Sequence, residues 1–430
     1  MKDHCTLQLH VDGRWHDVAT VRLQDQPALG WRTPVVLAYD TSWAGLHLRR
    51  RDARALSATC PVGLALRRYA HWPAFLVDQL PQGFGRTELL RQLGLPETAA
   101  ESGDWALLLA GAGNPVGNLR VKEAAEWLAE RTPPLLGFTE EQVAARSEPF
   151  VEYLAQHGLF VAGSSGIQGE WPKLLLTLAE DGLLYLDHAL PDARARSHYI
   201  VKFQRGENAA LARILRHEAL WMTLADRLGV AVHAPLALHE RALFIPRFDR
   251  RLEGARVRRL AQESLASLME APGFGAAPGH EAACAALLQH SSRPAEDLLE
   301  YLKRDVANLA LGNKDNHARN TALQRDKSGI VHLAPMFDFA PMYLHPDGLA
   351  RRMRWADDRG GEPDWAQVLD AVLALDTAGV TRREILLAGL QDMVDPLQAI
   401  ARDNPGMDAD LHAWLRPRLW SLADALENLR

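Results

Sequence analysis

Apolar residues alternate with polar ones in short stretches over residues 5–50, which predicts strands. Leu7, Leu9 and Val11 show this alternation, and the Asp12-Gly13 pair that follows them is a typical hairpin turn. A period of two places successive side chains on opposite faces, so one face of such a sheet can be buried. We therefore expect a strand-rich segment at the start of the chain.

From Trp72 onward the apolar positions recur at helical spacing, as in Phe75, Leu76 and Leu80. Later apolar runs predict strands at 174–179, 199–203 and 236–248. The rest of the chain is helical in pattern, with predicted helices at 207–228, 261–271, 280–290, 296–311, 364–375, 382–401 and 409–428. We expect the last three helices to form a bundle.

The composition is that of an ordinary globular protein, and its 430 residues are enough for two or three domains. Three widely spaced cysteines form neither a disulfide framework nor a zinc pattern, so we expect a reducing cytoplasm. We find no signal peptide and no apolar run of the roughly 18 residues that cross a bilayer. The net charge of -6 argues against general nucleic-acid binding.

An aspartate and an asparagine five positions apart, Asp315 and Asn320, match the pattern of a protein-kinase catalytic loop. In that loop the aspartate orients and deprotonates the attacking hydroxyl, and the asparagine holds a magnesium ion. Kinases add a magnesium carboxylate from a separate Asp-Phe-Gly segment. Here Asp338-Phe339 follows eighteen residues after Asn320, with Ala340 in place of the glycine. Because Asp and Asn are common loop residues, this pattern alone leaves the interpretation open.

A glycine-rich loop upstream, Gly163–Gly169, contains Ser164, Ser165 and Gly166. Glycines let backbone N–H groups approach phosphates and a serine hydroxyl adds a donor, although a structural turn would use the same residues. Lys202 ends an apolar strand beyond this loop, as the phosphate-binding lysine of kinases does. A single lysine at a strand end is more often a solvated charge.

Two further segments fit a nucleotide site. Glu218 lies within the predicted helix that follows Lys202, and is either the partner of that lysine or an exposed helix carboxylate. The Pro246–Phe248 segment resembles a kinase hinge, whose backbone contacts adenine, and Asp249 beyond it is placed to hold a ribose. Taken alone, this segment is better explained as an ordinary core strand with a charged exit. The order of all these segments is that of a kinase. They supply phosphate positioning, charge neutralisation and an oriented hydroxyl, which phosphoryl transfer needs.

Other notable residues have simpler explanations. The glycine-rich Ala110–Gly117 segment lacks the Gly-Lys-Ser/Thr ending of a P-loop, so turn chemistry explains it better than phosphate binding. Arginines cluster over Arg247–Arg259 and Arg351–Arg354, which form either a solvated face or a docking surface for DNA or an RNA-bearing protein. His317 has no Cys or His partner at metal spacing, which favours a hydrogen bond that orders its loop.

Taken together, these motifs resemble those of the HipA family, serine/threonine kinase toxins of bacterial toxin–antitoxin systems. The resemblance covers nearly the whole chain and rests on Pro172-Lys173, Arg247–Arg250 and Asn313–Asn320, the last of which matches the family's Asn-x-Asp-x-His-x-x-Asn loop. It implies an α+β, protein-kinase-like, two-lobed fold with a strand-rich N-terminal subdomain and an all-helical C-terminal lobe. The implied domains are an N-terminal domain over 1–130, an N-lobe over 145–250 and a C-lobe over 251–430.

The resemblance also implies roles for individual residues. Asp315 would be the catalytic base, and Asn320 and Asp338 would hold Mg²⁺. The implied ATP-binding set is Ser164, Ser165, Gly166, Lys202, Glu218, Pro246, Phe248, Asp249 and His317. In the family a serine of the glycine loop is autophosphorylated, and here Ser165, with Ser164 as the alternative, occupies that position.

The glycine loop is longer than the usual version of the family. Its sequence and the Ala110–Gly117 segment are together similar to the YjjJ (HipH) branch, whose members can lack an obvious partner antitoxin. The resemblance implies a growth-inhibiting cytoplasmic kinase that modifies a protein, such as an RNA-bound translation factor or synthetase. It also implies a helix-turn-helix antitoxin, only indirect or weak contact with DNA, and no membrane. Two alternatives remain: a nucleic-acid-acting, DNase-like toxin or DNA-binding protein on the same fold, and a pseudokinase interaction module. The intact Lys202, Asp315, Asn320 and Asp338 argue against the pseudokinase.

Overall fold

The computed structural model describes residues 2–96, 101–132, 134–156, 171–358 and 360–430. The chain divides into two compact units. The first unit comprises Met1–Arg205, Ala237–Phe274 and Gln324–Ile330, and the second comprises Gly206–Leu236, Gly275–Leu323 and Val331–Arg430. The domain boundary expected after residue 250 therefore falls inside the first unit.

An antiparallel five-stranded sheet opens the first unit, in the order β4-β3-β2-β1-β5. Its strands are β1 His4–Val11, β2 Arg14–Leu23, β3 Val35–Tyr39, β4 Arg67–Tyr69 and β5 Leu119–Val121. Strands β1 and β2 form the expected hairpin around Asp12-Gly13, and both turn residues have positive φ, 51° and 83°. Two successive positive φ values are typical of the tight hairpin turn whose twist suits the flanking strands.

A second five-stranded sheet in the same unit has the order β7-β6-β8-β10-β9. Its strands are β6 Lys173–Ala179, β7 Leu184–Leu186, β8 Ala195–Phe203, β9 Ala237–His239 and β10 Ala242–Pro246. One face of this sheet, including Leu174, Val201 and Phe244, packs into an apolar core with Phe138 and Phe150. The strands predicted from apolar runs at 174–179, 199–203 and 236–248 correspond to β6, β8 and the β9–β10 pair, whereas β7 was not predicted.

Short helices and a hairpin complete the first unit. The helices are α1 Thr41–His47, α2 Ala74–Val77, α3 Gly83–Gln92, α4 Asp104–Gly111, α5 Lys122–Ala129, α6 Glu140–Ala144, α7 Glu148–Gln156 and, later in the chain, α9 Leu265–Leu268. The hairpin strands are β11 Arg250–Glu253 and β12 Arg256–Arg259, followed by β13 Ala261–Ser264.

The second unit is mainly helical. Its helices are α8 Ala209–Arg227, α10 His280–His290, α11 Pro294–Ala310, α12 Trp365–Leu375, α13 Arg383–Gln391, α14 Val394–Arg402 and α15 Ala409–Glu427. The α8 helix begins at a local signal, since the Asn208 side chain accepts hydrogen bonds from the N–H groups of Ala210 and Leu211. It ends at Arg227, two residues before Gly229, whose φ is +75°.

The helical region departs from the expectations in three places. The helix predicted over 382–401 is two helices, because Pro396 lies in the first turn of α14 and cannot continue a preceding helix. The helix predicted over 261–271 begins as strand β13 and becomes helical only after Ser264 caps α9. Two short strands, β14 Ala322–Arg325 and β15 Val331–Leu333, also lie within the lobe that was expected to be all helical. Among the helices that the structure describes, none is both long and apolar enough to cross a bilayer.

Candidate active site

The catalytic-loop candidate begins where α11 ends. Gly312 has a φ of +67°, and a Cβ atom at this position would lie 2.6 Å from the Tyr343 ring and 3.0 Å from Trp414. No other residue type fits here without moving these rings, which stack on each other with centroids 3.7 Å apart. The backbone therefore turns sharply into Asn313–Asn320 against a fixed aromatic support.

Side-chain amides hold this loop in shape. Asn313 donates to the Asn308 side chain of α11 at 2.9 Å and accepts from the Asp315 N–H at 3.2 Å. At the other end, the Asn320 side-chain amide donates to the Asp315 carbonyl at 2.9 Å. Because the nitrogen of Asn320 is engaged in this way, its Oδ1 is the atom left to act as a ligand.

His317 orders the middle of the loop and stands beside Asp315. Its Nδ1 accepts a hydrogen bond from the Arg319 N–H at 3.3 Å, so the neutral ring carries its proton on Nε2. That nitrogen lies 3.6 Å from Asp315 Oδ1, beyond hydrogen-bond range. Burial lowers the pKa of His317, although Asp315 and Asp338 oppose the shift, so the ring is neutral near pH 7.

Asp338 adopts the left-handed backbone region, with a φ of +53°. Few residues other than glycine tolerate this region, and Asp and Asn are the main exceptions. The segment around it is fixed, since the Met336 N–H donates to the Ala231 carbonyl at 2.8 Å and Phe339 is fully buried. An unusual backbone at this position is consistent with a functional constraint on where the carboxylate points.

One cavity in the second unit collects the residues that the kinase pattern singled out. Asp315, His317, Asn320 and Asp338 all line it. Its remaining walls come mostly from α11 and from the segments that flank Asp338. The sequence pattern therefore identified side chains that the fold brings to one place, although eighteen residues separate Asn320 from Asp338.

The donor set at this cavity fits magnesium. Asn320 and Asp338 offer amide and carboxylate oxygens, which are the ligands that Mg²⁺ prefers. Within the described residues, no group of three or more His, Cys, Asp or Glu side chains is arranged to hold a metal by itself. Magnesium sites that use one or two protein ligands are completed by water and substrate phosphates, so this arrangement fits a nucleotide-dependent site.

Strand pairing in the second sheet places two lysines side by side. Lys173 of β6 lies directly opposite Lys202 of β8, so their side chains leave the sheet on the same face. This face is opposite the one that buries Leu174 and Val201. Both lysines are more than 90% buried, and Lys202 Nζ lies 5.2 Å from the Trp171 ring. Two buried cations on one face are suited to binding a polyphosphate.

A family model for the HipA-like C-terminal domain matches residues 165–398, more than half of the chain. The chain belongs to the HipA family. In a sequence comparison it is 26% identical over 328 residues to "Putative kinase Y4mE" of Sinorhizobium fredii, covering 72% of this chain and 73% of that protein. Among solved structures it matches HipA of Shewanella oneidensis MR-1, determined with HipB and operator DNA, with a TM-score of 0.66 and 19% identity over 99% of this chain and 100% of that one. The fold is therefore the kinase-like fold of HipA.

The other members of the expected HipA nucleotide set have different surroundings. Glu218 is 1% exposed within α8, which excludes an exposed helix carboxylate. It belongs to the second unit and Lys202 to the first. The glycine-loop residues Ser164, Ser165 and Gly166 lie outside the described residues.

Asp249, part of the HipA motif Arg247–Arg250, has a structural role within the first unit. Its carboxylate is buried and accepts hydrogen bonds from Arg247, from Arg250 and from the Gly117 N–H. Burial raises the pKa of Asp249, but the two arginines outweigh it and hold the pKa below its ordinary value. The expected contact of Asp249 with a ribose stays a prediction.

The same two arginines fix the glycine-rich segment at 110–117. Arg247 and Arg250 both donate to the Pro115 carbonyl, at 3.0 and 2.8 Å. This contact gives that segment a structural role, in agreement with the turn interpretation.

Backbone groups of the hinge candidate, Pro246–Phe248, already make hydrogen bonds within the protein. The Arg247 N–H donates to the His198 carbonyl at 2.9 Å, and the Phe248 carbonyl accepts from the Gln324 side chain at 3.2 Å. Pro246 has no N–H to donate. The expected contact of this segment with adenine therefore stays a prediction.

Sequence reasoning missed a buried network behind the cavity. Asp305 of α11 accepts from Arg351 at 2.6 Å and from the Trp355 indole at 2.9 Å, and His280 stacks on Trp355. Burial raises the pKa of Asp305, but His280 and Arg351 hold it below its ordinary value. This network ties the segment after Asp338 to α11. No local signal reveals it, because its members lie on separate elements.

The first basic run is largely structural, and Arg351 of the second run is paired as well. Arg247 and Arg250 belong to the buried cluster, Arg259 pairs with Asp192 at 2.9 Å, and Arg351 pairs with Asp305. These arginines therefore do not form the continuous docking face that the sequence left open.

Proposed function

We propose that the chain is an ATP- and Mg²⁺-dependent serine/threonine protein kinase that inhibits growth as a toxin. The observation that supports this proposal is the gathering of Asp315, Asn320 and Asp338 around one cavity, in the order in which kinases use them. The relative described as a kinase and the HipA-like fold agree with it.

In the proposed reaction the γ-phosphoryl group passes from ATP to a serine or threonine hydroxyl. The bond from phosphorus to the bridging oxygen of ADP breaks as the bond to the hydroxyl oxygen forms, and Asp315 accepts the hydroxyl proton. Asn320 and Asp338 would hold Mg²⁺, which neutralises charge on the phosphates when bound. His317 keeps the loop in shape through the hydrogen bond that its ring accepts from the Arg319 N–H.

The nucleotide phosphates would be bound by Lys202, with Lys173 beside it on the same face of the sheet. Lysine is a common phosphate-binding residue, and two adjacent lysines suit the several charges of a triphosphate. Glu218 and the glycine-loop residues Ser164, Ser165 and Gly166 complete the proposed ATP site.

A protein substrate and a helix-turn-helix antitoxin are the proposed partners. The Shewanella HipA was solved with HipB and operator DNA, which supports an antitoxin of that kind. Any contact of this chain with DNA would then be indirect or weak. The engaged arginines of the basic runs give the rival nucleic-acid-acting function no specific support.

The test is a transfer assay with purified protein, labelled ATP and Mg²⁺, combined with controlled expression in a bacterial host. We expect magnesium-dependent phosphate transfer and growth arrest in the wild type, and neither in Asp315→Asn. Growth arrest that persists in Asp315→Asn, together with DNA cleavage in the absence of ATP, would overturn the kinase proposal in favour of the nucleic-acid rival.

A further inference from the structure

A second cleft lies beside the catalytic loop, and its described walls all belong to the second unit. It has a cavity volume of about 360 Å³ and is lined by the start of α12, by the last helix α15, by the loop residues Asn313 and Lys314, and by Ala350, Arg351, Arg354 and residues 360–363. Asn308 and Asn313 line both this cleft and the cavity that holds Asp315. An occupant of the cleft would therefore lie next to the candidate base.

Four cations line this cleft. Arg351 is paired with a buried aspartate of α11, which leaves three others: Lys314, Arg354 and Arg418. Arg354 and Arg418 are exposed and Lys314 is half-buried. Over the part of the chain that the structure describes, none of the three forms an ion pair with a carboxylate. Glu362 is the acidic residue among the described walls, so the cleft carries an excess of positive charge. This contrasts with the basic runs near the hinge, whose arginines are mostly paired.

The arrangement around Trp414 shows what kind of anion fits. Tyr343 stacks on one face of the Trp414 ring, with an interplanar angle of 7° and a centroid distance of 3.7 Å. The Arg418 guanidinium lies 4.5 Å from the same centroid, and two groups this close cannot share a face, so it covers the other one. With Tyr343 and Arg418 packed against the ring, less of Trp414 is left to stack on a nucleobase, which is how single-stranded RNA is usually held. The ring instead supports a guanidinium, which suits carboxylate binding.

We propose that this cleft docks an acidic segment of the protein substrate, next to the serine or threonine that receives the phosphate. The inference rests on the proposed kinase function and adds a sequence preference to it. Lys314 precedes Asp315 directly, and an extended peptide advances roughly 3.3 Å per residue. The preferred Asp or Glu should therefore lie within about three residues of the acceptor hydroxyl.

The experiment uses the full chain and synthetic peptides that each contain one serine, with Glu, Gln or Lys at each of the three positions on either side. Phosphorylation with Mg²⁺ and ATP and binding of the fluorescein-labelled peptides are measured separately. Wild type is compared with the double variant Arg354→Gln/Arg418→Gln. Each exposed ion pair should raise kcat/KM for a Glu peptide only a few-fold. We therefore expect the double variant to lose about tenfold in kcat/KM for Glu peptides and little for Gln peptides.

A matched control removes the same charge elsewhere in the unit. Arg382 and Arg416 are exposed arginines outside the cleft, and Arg382→Gln/Arg416→Gln should keep the wild-type preference. Equal phosphorylation and binding of Glu and Gln peptides by the wild type would overturn the docking proposal and leave the kinase function intact. If Glu peptides bind in a way that needs Arg354 and Arg418 but receive no phosphate, the docking of acidic peptides in the cleft would be supported and the kinase function overturned. Tighter binding of an RNA oligonucleotide, lost in the same double variant, would overturn the assignment to a peptide.

Discussion

The side-chain amide of Asn320 donates to the backbone carbonyl of Asp315 at 2.9 Å. This contact closes the loop and links the candidate base to the candidate metal ligand, since the oxygen of the same amide remains for a cation. A change at Asn320 should therefore affect both the shape of the loop and the need for magnesium.

We expect Asn320→Ala to raise the magnesium concentration required for phosphate transfer and to lower stability. The lost hydrogen bond should cost about 1 kcal/mol of unfolding free energy. Asn320→Asp keeps an oxygen ligand, so it should retain more activity at high magnesium than the alanine variant. Magnesium titration of the transfer rate, with thermal unfolding in parallel, is the measurement. An unchanged magnesium dependence in Asn320→Ala would remove this residue from the metal site.

Asp315→Asn should lower the transfer rate by about 10²–10⁴-fold, the usual contribution of a general base. ATP binding and the melting temperature should change little, because the amide has the same shape and the side chain is only half-buried. Asp392→Asn changes an exposed carboxylate in the same unit and is the matched control. Wild-type transfer rates in Asp315→Asn would contradict its role as the base.

Lys202→Ala should weaken ATP binding by roughly 1.5–3 kcal/mol, the range of a charge-assisted hydrogen bond. Lys173→Ala should also weaken it, because the two side chains share one face of the sheet. Calorimetry with magnesium–ATP measures both effects. Lys122→Ala serves as a control, since Lys122 is an exposed lysine that pairs with Asp17. If Lys202→Ala binds ATP as the wild type does, the phosphates lie elsewhere.

The buried cluster around Asp249 predicts acid sensitivity. Arg247 and Arg250 hold the pKa of Asp249 below its ordinary value despite burial. The pKa of Asp187, beside Arg247, is lowered in the same way. A depressed pKa gives stability that is present above the unfolded-state value, about 3.9, and is lost as pH falls below it. The unfolding free energy should therefore drop on going from pH 7 to pH 3.

Asp249→Asn tests this cluster directly. It should cost roughly 3–5 kcal/mol at pH 7, because it leaves buried guanidinium charge without its partner. It should also lose less stability than the wild type between pH 7 and pH 3, since one depressed carboxyl is gone. Denaturant unfolding at both pH values is the measurement, with the exposed Asp25→Asn as control. Equal pH dependence in Asp249→Asn and the wild type would show that the cluster does not govern acid stability.

Autophosphorylation of Ser165, or of Ser164, remains a prediction because the glycine loop lies outside the described residues. A phosphoserine carries about -1.5 to -2 charges at neutral pH and would compete with the ATP phosphates for Lys202 and the loop amides. The modified loop should leave the nucleotide site, and the enzyme should lose activity. Mass spectrometry after incubation with magnesium–ATP is the measurement, with Asp315→Asn as control. If an external substrate gains phosphate while neither serine does, self-inactivation is absent from this chain.

Local sequence determined the parts of the molecule whose contacts are local. The helix at 280–290 and the hairpin at Asp12-Gly13 follow from spacing and turn chemistry over a few residues. The Asp315–Asn320 loop is recognisable for the same reason, since its defining contacts lie within a single turn of chain. The match to the HipA family added the fold, which no local pattern specifies.

Tertiary structure decided the contacts between residues that are far apart in the chain. Lys173 and Lys202 become neighbours only through strand register, and Asp249 accepts a hydrogen bond from the N–H of Gly117, 132 residues away. Tyr343 and Arg418 pack against the Trp414 ring because α15 packs beside the catalytic loop. A carboxylate or an aromatic ring looks the same in the sequence whether it is free or engaged. Packing across the whole unit decides whether such a side chain is free or engaged. The same packing therefore decides what the side chain can still bind.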